Sequence, residues 1–407
     1  MIYYLLLIIV SFDFIWTQYL AYRNRKRMSD EVPGELIGIY DNEKYRLQQS
    51  YQKENSRLNL LSGSISFILL FTILLLSGFG WLDSFIRLYI SNPVLITLVF
   101  LCVIFIGSQI LSLPFSYYDT FVIETKYGFN KSTKSIFWID SVKSLILSLI
   151  LGGIILSVII WFYQNAGNLA WIYAWGIVIL FSLFMTLFYS NLIVPLFNKQ
   201  TPLTDGDLRN SIEQFSQKAG FELTNIYVMD ASKRTTKANA YFTGLGNKKR
   251  IVLFDTLIND LTTDEIVAVL AHEIGHYKKK HTTIQLIVSI LQTGLLLYIL
   301  SFFLNSMSVS EAMGSNIPSF HLGLLAFSLL FTPISIITSL LMNMLSRKNE
   351  YEADHYACSF GFGEFLISGL KKLSVKSLSN LNPDPLNVFF HYSHPTLLQR
   401  INKIKAN

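Results

Sequence analysis

Seven long apolar runs restrict the fold of this chain more than any other feature; they lie near residues 1–22, 60–79, 94–113, 143–163, 169–193, 283–304 and 321–345. A helix of about 18 or more apolar residues is long enough to cross roughly 30 Å of hydrocarbon. The composition agrees, with 51% hydrophobic and only 15% charged residues among 407. The expectation is a mainly α-helical protein with seven transmembrane helices, in contact with membrane lipids. The first run lacks a basic start and a small-residue cleavage site, and Arg23, Arg25, Lys26 and Arg27 follow it directly, so it reads as a retained anchor.

Loop charge predicts the orientation, because Lys and Arg accumulate in short cytoplasmic loops. Residues 23–58 are rich in basic side chains, and 114–135 add Lys126, Lys131 and Lys134. The alternate connections hold Arg87 and then no Lys or Arg in 164–168 or 305–320. The basic loops are therefore expected in the cytoplasm and the amino terminus outside it or in a lumen. Topology accounts for the net charge of +6, and no aromatic-basic motif points to nucleic acid as a partner. Cys102 in a span and Cys358 in a cytoplasmic-side segment do not make a disulfide framework.

Four regions follow from this layout. Residues 1–197 hold the first five spans and their loops, 198–282 form a polar catalytic insertion, 283–345 hold the last two spans, and 346–407 form a tail. The insertion and the tail face the same side and are expected to fold together as one discontinuous domain. Within the insertion, 205–219 has helical character, while Asn225–Asp230 and Arg250–Phe254 have the β-branched and aromatic content of strands. Leu245-Gly246-Asn247-Lys248 supplies a turn, which predicts a small hairpin or sheet.

The chemistry sits on the next helix. Thr262, followed by Asp264, Glu265 and a run of apolar residues, reads as a helix start. Further along come His272-Glu273-Ile274-Gly275-His276. Residues i and i+4 share a helix face, so both imidazoles can reach one zinc ion at about 2.0–2.1 Å. Such an ion lowers the pKa of a water molecule to about 7, and Glu273 stands where it can take that water's proton and pass it to a leaving amine. The reaction class is peptide hydrolysis. A catalytic zinc needs a third protein ligand, and the segment after the seventh span offers Glu350 or Glu352; Glu350 shares a face with Asp354, which is expected to orient a ligand imidazole or to serve as a proton donor. His281, five residues past His276, falls off the ligand face of a continuous helix and reads as interfacial.

The chain resembles the type I CaaX prenyl endopeptidase family, integral membrane zinc proteases that remove three residues from the carboxyl end of isoprenylated proteins. The resemblance rests on Ser116-Tyr117-Tyr118-Asp119-Thr120-Phe121, Asn239-Ala240-Tyr241-Phe242, the 249–257 block, the His-Glu-Ile-Gly-His helix, Glu350 with Asp354, and His391-Tyr392-Ser393-His394-Pro395. It implies seven spans forming a barrel around a large chamber, with a discontinuous zincin-like catalytic domain on the cytoplasmic side. It implies Glu350 as third ligand, Asn239, Ala240 and Tyr241 along an extended substrate, and His394 beside the scissile carbonyl. Arg400 is implied to bind a carboxylate or carbonyl of the substrate. The implied partner is a protein or peptide carboxyl terminus, lipidated; a membrane quality-control protease of broader specificity is the alternative. The implied compartment is the endoplasmic reticulum in a eukaryote and the cytoplasmic membrane in a bacterium.

Overall fold

The computed structural model describes residues 1–29, 31–221, 223, 225–243 and 250–406. Helices α1 (Ile2–Lys26), α2 (Asn42–Leu75), α3 (Gly78–Arg87), α4 (Pro93–Tyr118), α5 (Lys134–Asn165) and α6 (Ala170–Leu192) make up the first part of the chain. Strand β1 (Gln200–Pro202), α7 (Asp207–Lys218), β2 (Asn225–Met229), β3 (Ala240–Thr243), β4 (Arg250–Phe254), α8 (Asp255–Asp260) and α9 (Thr263–Lys278) form the insertion. Then come α10 (His281–Ser301), α11 (Met307–Ala312), α12 (Phe320–Leu330), α13 (Thr332–Ser359), α14 (Gly363–Lys376), α15 (Pro385–His391) and α16 (Leu397–Lys405).

Six of the described helices are long and apolar enough to cross a membrane, and α12 with α13 forms a further apolar pair bent by 56°, which makes up to seven spans. The bend has a local cause. Pro333 stands in the first turn of α13, where its ring occupies the space of a preceding carbonyl and supplies no N–H, so the run breaks at Phe331. Ile8, Ile110, Leu180, Leu291 and Ile337 from five different spans are exposed, as an apolar solvent permits.

One end of the bundle is closed by α3, α11 and the segment after α11. The N–H of Gly80 donates to Met313 O at 3.0 Å, and a Cβ on Gly80 would lie 1.9 Å from Gly314 O, so only glycine fits this crossing. Buried Asp83 accepts hydrogen bonds from Arg87 at 2.9 Å and Ser315 at 3.0 Å, and its Oδ1 lies 2.9 Å from His321 Nε2. The buried Asp83 carboxylate is thus paired, which removes most of the cost of burying it.

A unit built from the insertion and the tail covers the opposite end. Its sheet runs β1-β2-β4-β3, with β2 and β4 parallel and the other neighbours antiparallel, so β3 is an edge. The expected turn at 245–248 lies outside the described residues. Ile226, Ile251 and Leu253 from the sheet share one buried core with Ile266, Leu270 and Ile274 of α9, Leu366 of α14 and Ile401 of α16. Insertion and tail therefore form a single core. That unit is tied to the membrane helices by ion pairs: Arg23 with Asp384 at 3.2 Å, Arg234 with Asp140 at 2.8 Å, and Lys237 with Glu124 at 2.9 Å.

Candidate active site

Helix α9, which carries both histidines, begins with a reciprocal cap. Thr262 Oγ1 accepts from the Glu265 N–H, and Glu265 Oε2 accepts from the Thr262 N–H, satisfying two of the donors that a helix start leaves open. Glu265 also takes hydrogen bonds from Ser368 at 2.7 Å and Lys372 at 2.8 Å, which docks α9 on α14. Ten residues along, His272 and His276 emerge one turn apart. Helix α13 approaches this face closely because Gly275 has no side chain: a Cβ there would lie 3.1 Å from Ala353 Cα. This close packing brings Glu350 to the two imidazoles.

His272 Nε2 and His276 Nε2 are 3.1 Å apart, Glu350 Oε2 is 3.5 Å from the first, and Glu350 Oε1 is 3.3 Å from the second. Ligand atoms held about 2.0–2.1 Å from a tetrahedral ion lie roughly 3.3 Å from each other, so this triangle has the size of three corners of such a site. Glu350 Oε2 is buried and receives no hydrogen bond, with His272 Nε2 and Arg400 Nη1 each 3.5 Å away, so it keeps a lone pair free for a closer cation. The donor set and its unsatisfied oxygen fit a divalent metal, and these three are the group among the described residues able to hold one.

The ring nitrogens turned away from the triangle are also held. Asp354 Oδ1 lies 2.8 Å from His272 Nδ1, and Arg400 donates to both oxygens of Asp354 at 2.9 and 2.6 Å. Burial opposes a charge on His272, but the adjacent carboxylates of Asp354 and Glu350 outweigh it and push its pKa up to about 9. Arg400 is itself buried, with Nη1 3.5 Å from Glu350 Oε2, so most of its guanidinium is committed to these carboxylates. His276 Nδ1 lies 3.0 Å from His281 Nδ1, and His281 Nε2 lies 3.1 Å from Glu352 Oε2. His281 is the first residue of the apolar span α10 and stays outside the triangle, as expected, and it is 3% exposed.

A cavity of about 970 Å³ opens on the triangle. Glu273, His276, Glu350 and His394 line it on one side, Ala240 and Tyr241 of the edge strand on another, and Met185 and Tyr189 of α6 extend it into the membrane bundle. His394 is exposed, its Nε2 3.3 Å from Glu350 Oε1 and its Nδ1 2.9 Å from Ser393 Oγ. The segment before it is pinned to α13, because Arg347 Nη1 donates to Tyr392 O at 2.5 Å and Asn343 Nδ2 to Phe390 O at 2.8 Å. Asn239 is exposed at the start of β3, where its carbonyl accepts from the Phe254 N–H and its Oδ1 from the Ala240 N–H. Of the residues singled out in the sequence, the structure thus gathers Glu273, His276, Glu350, His394, Ala240 and Tyr241 about one cavity, with His272 buried beside His276 and Glu350. Asp354 and Arg400 stand behind the triangle.

A bundle of apolar spans joined to a unit that brings together two histidines, a glutamate from a later helix and a second glutamate facing the same cavity defines an integral membrane metallopeptidase. Residues 202–407 match peptidase family M48, and residues 21–199 match the CAAX prenyl protease N-terminal region of five membrane helices. This chain belongs to peptidase family M48. It is 36% identical to the CAAX prenyl protease 1 homolog of Oryza sativa subsp. japonica, over 96% of this chain and 94% of the relative. With the CAAX prenyl protease 1 of Saccharomyces cerevisiae it shares 35% identity over 96% and 92% of the two chains, and with the Homo sapiens homolog 31% over 97% and 93%. The crystal structure of S. mikatae Ste24p superposes with a TM-score of 0.94 at 33% identity, covering 99% of both chains. The fold is the expected one: membrane helices forming a barrel around a chamber, joined to a discontinuous catalytic domain with a small sheet.

Proposed function

We propose that the protein is a zinc-dependent endopeptidase that cleaves near the carboxyl terminus of CaaX-type, prenylated proteins. The observation that carries this reading is the cavity itself, in which Glu273, His276, Glu350 and an edge strand meet at one end and α6 of the membrane bundle at the other. A peptide joined to a lipid needs both surfaces. The names of the relatives, CAAX prenyl protease 1 and its homologs, support the same substrate class.

Two imidazoles and one carboxylate leave the fourth position of a tetrahedral site open, the ligand set of a catalytic zinc. Zinc bound by His272, His276 and Glu350 supplies a Lewis acid for the scissile carbonyl. Glu273 takes the proton of the attacking water and returns it to the leaving amine. The substrate backbone extends β3 through Asn239, Ala240 and Tyr241, a mode of binding that tolerates varied side chains. His394 donates to the oxygen on which charge develops. Arg400 can offer a substrate only Nη1, since Nε and Nη2 serve Asp354.

The catalytic end is read as cytoplasmic. Arg23 and Lys237, on the two sides of the contact between bundle and catalytic unit, share that end with the basic loops, as the bias of Lys and Arg toward the cytoplasm requires. The amino terminus then lies on the lumenal or extracytoplasmic side, in the endoplasmic reticulum of a eukaryote or the cytoplasmic membrane of a bacterium.

The test is incubation of the purified protein with matched farnesylated and unlipidated CaaX peptides, with products identified by mass spectrometry. Release of three residues from the farnesylated peptide in preference is expected. Cleavage of neither overturns the reading, and equal cleavage of both assigns a protease indifferent to lipid.

A further inference from the structure

His281 and Glu352 carry a role outside the ligand set. Helix α9 does not run on into α10: Lys280 adopts φ 61°, a left-handed conformation that is costly for a residue with a side chain. The helix breaks there, and the turn brings His281 to His276, five residues back, at an Nδ1 to Nδ1 distance of 3.0 Å. On the far side of the His281 ring, Nε2 lies 3.1 Å from Glu352 Oε2.

The proton positions in this chain follow from its ends. A carboxylate only accepts, so the hydrogen of neutral His281 sits on Nε2 and points at Glu352. Nδ1 of His281 is then an acceptor and takes the hydrogen of His276 Nδ1. His276 Nε2 is left with its lone pair directed at Glu350 Oε1 and His272 Nε2, 3.3 and 3.1 Å away. The opposite set of tautomers would put a hydrogen on His276 Nε2, where the lone pair is needed.

We propose that His281 and Glu352 are a positioning pair that holds His276 in its metal-binding tautomer and ring orientation, the counterpart for His276 of Asp354 for His272. The inference rests on the reading of His272, His276 and Glu350 as a zinc site. Contacts of this kind are worth about 10–100-fold in metal affinity. Glu352 is 40% exposed on its side chain and can be replaced without opening the core, whereas His281 is buried.

The experiment measures zinc affinity of the full-length, metal-stripped protein by competition with a fluorescent chelator, together with the visible spectrum after loading cobalt(II). His281→Phe and Glu352→Ala are expected to weaken zinc about 10–100-fold, with an altered cobalt spectrum in His281→Phe. His281→Asn, whose amide oxygen can stand where Nδ1 accepts, is expected to regain most of the affinity and the wild-type spectrum. Wild-type affinity in both Glu352→Ala and His281→Phe overturns the proposal, as does a His281→Asn protein no better than His281→Phe. If His281→Phe does not fold, Glu352→Ala decides alone. A wild-type protein that takes up no zinc overturns the underlying metal site, and this inference with it.

Discussion

Asp354 Oδ1 and His272 Nδ1 are 2.8 Å apart, on the side of the imidazole opposite Glu350. The carboxylate requires a hydrogen on Nδ1 and so presents the Nε2 lone pair to the metal. Asp354→Asn keeps the shape but offers an amide that can donate to Nδ1 and favour the wrong tautomer. Zinc affinity is expected to fall about 10–100-fold, measured by chelator competition, with the fold intact by thermal unfolding.

Zinc binding should also depend on pH through His272. With no metal bound, its pKa is held at about 9 by Asp354 and Glu350 acting against burial, so at neutral pH the metal displaces a proton. Apparent affinity is expected to rise about tenfold per pH unit from pH 7 and to level off near pH 9, with proton release detectable in weak buffer below that point. An affinity unchanged between pH 7 and 8 contradicts it.

Glu265 links the start of α9 to α14. Burial raises its pKa, and the bonds from Lys372, Ser368 and the Thr262 backbone more than reverse that, leaving it below the usual glutamate value. A depressed carboxylate stabilises the fold above its unfolded pKa, about 4.3, and that contribution is lost as pH falls through the lower folded value. Glu265→Ala is expected to cost about 1–2 kcal/mol in thermal or denaturant unfolding at neutral pH and to reduce the loss of stability in acid.

His394 shares the cavity with Glu273 but lies outside the triangle of ligands. His394→Ala is expected to lower kcat about 10²–10³-fold, with KM little changed and zinc content retained, the pattern of a contact made in the transition state. A variant that loses zinc in parallel with activity would assign His394 to the metal instead.

Much of this arrangement is legible in the residues themselves, and the exceptions have physical causes. The apolar runs mark the spans because lipid imposes length and composition on each one separately, and Thr262 with Glu265 marks the start of α9 because a cap is local. Both histidines and Glu273 follow from helical periodicity. The bend at Phe331 could have been read from Pro333, which sits inside the seventh apolar run. The parallel pairing of β2 with β4, and the edge position of β3, depend on partners more than twenty residues apart or on a crossover that no local pattern records. The contact between His281 and His276 is not legible in the sequence, because residues i and i+5 diverge on an unbroken helix and the left-handed Lys280 breaks this one. Glu352, weighed beside Glu350 on spacing, stands against His281 and not in the triangle. Arg400 could not be seen as the partner of Asp354, since 46 residues separate them.

The most direct test is the Glu273→Gln protein. The substitution keeps the size of the side chain, leaves His272, His276 and Glu350 untouched, and removes the proton acceptor. Purified protein is expected to retain one zinc per chain by elemental analysis and to cleave a farnesylated CaaX peptide at least about 10²-fold more slowly than wild type. Full zinc content together with wild-type cleavage would contradict the account.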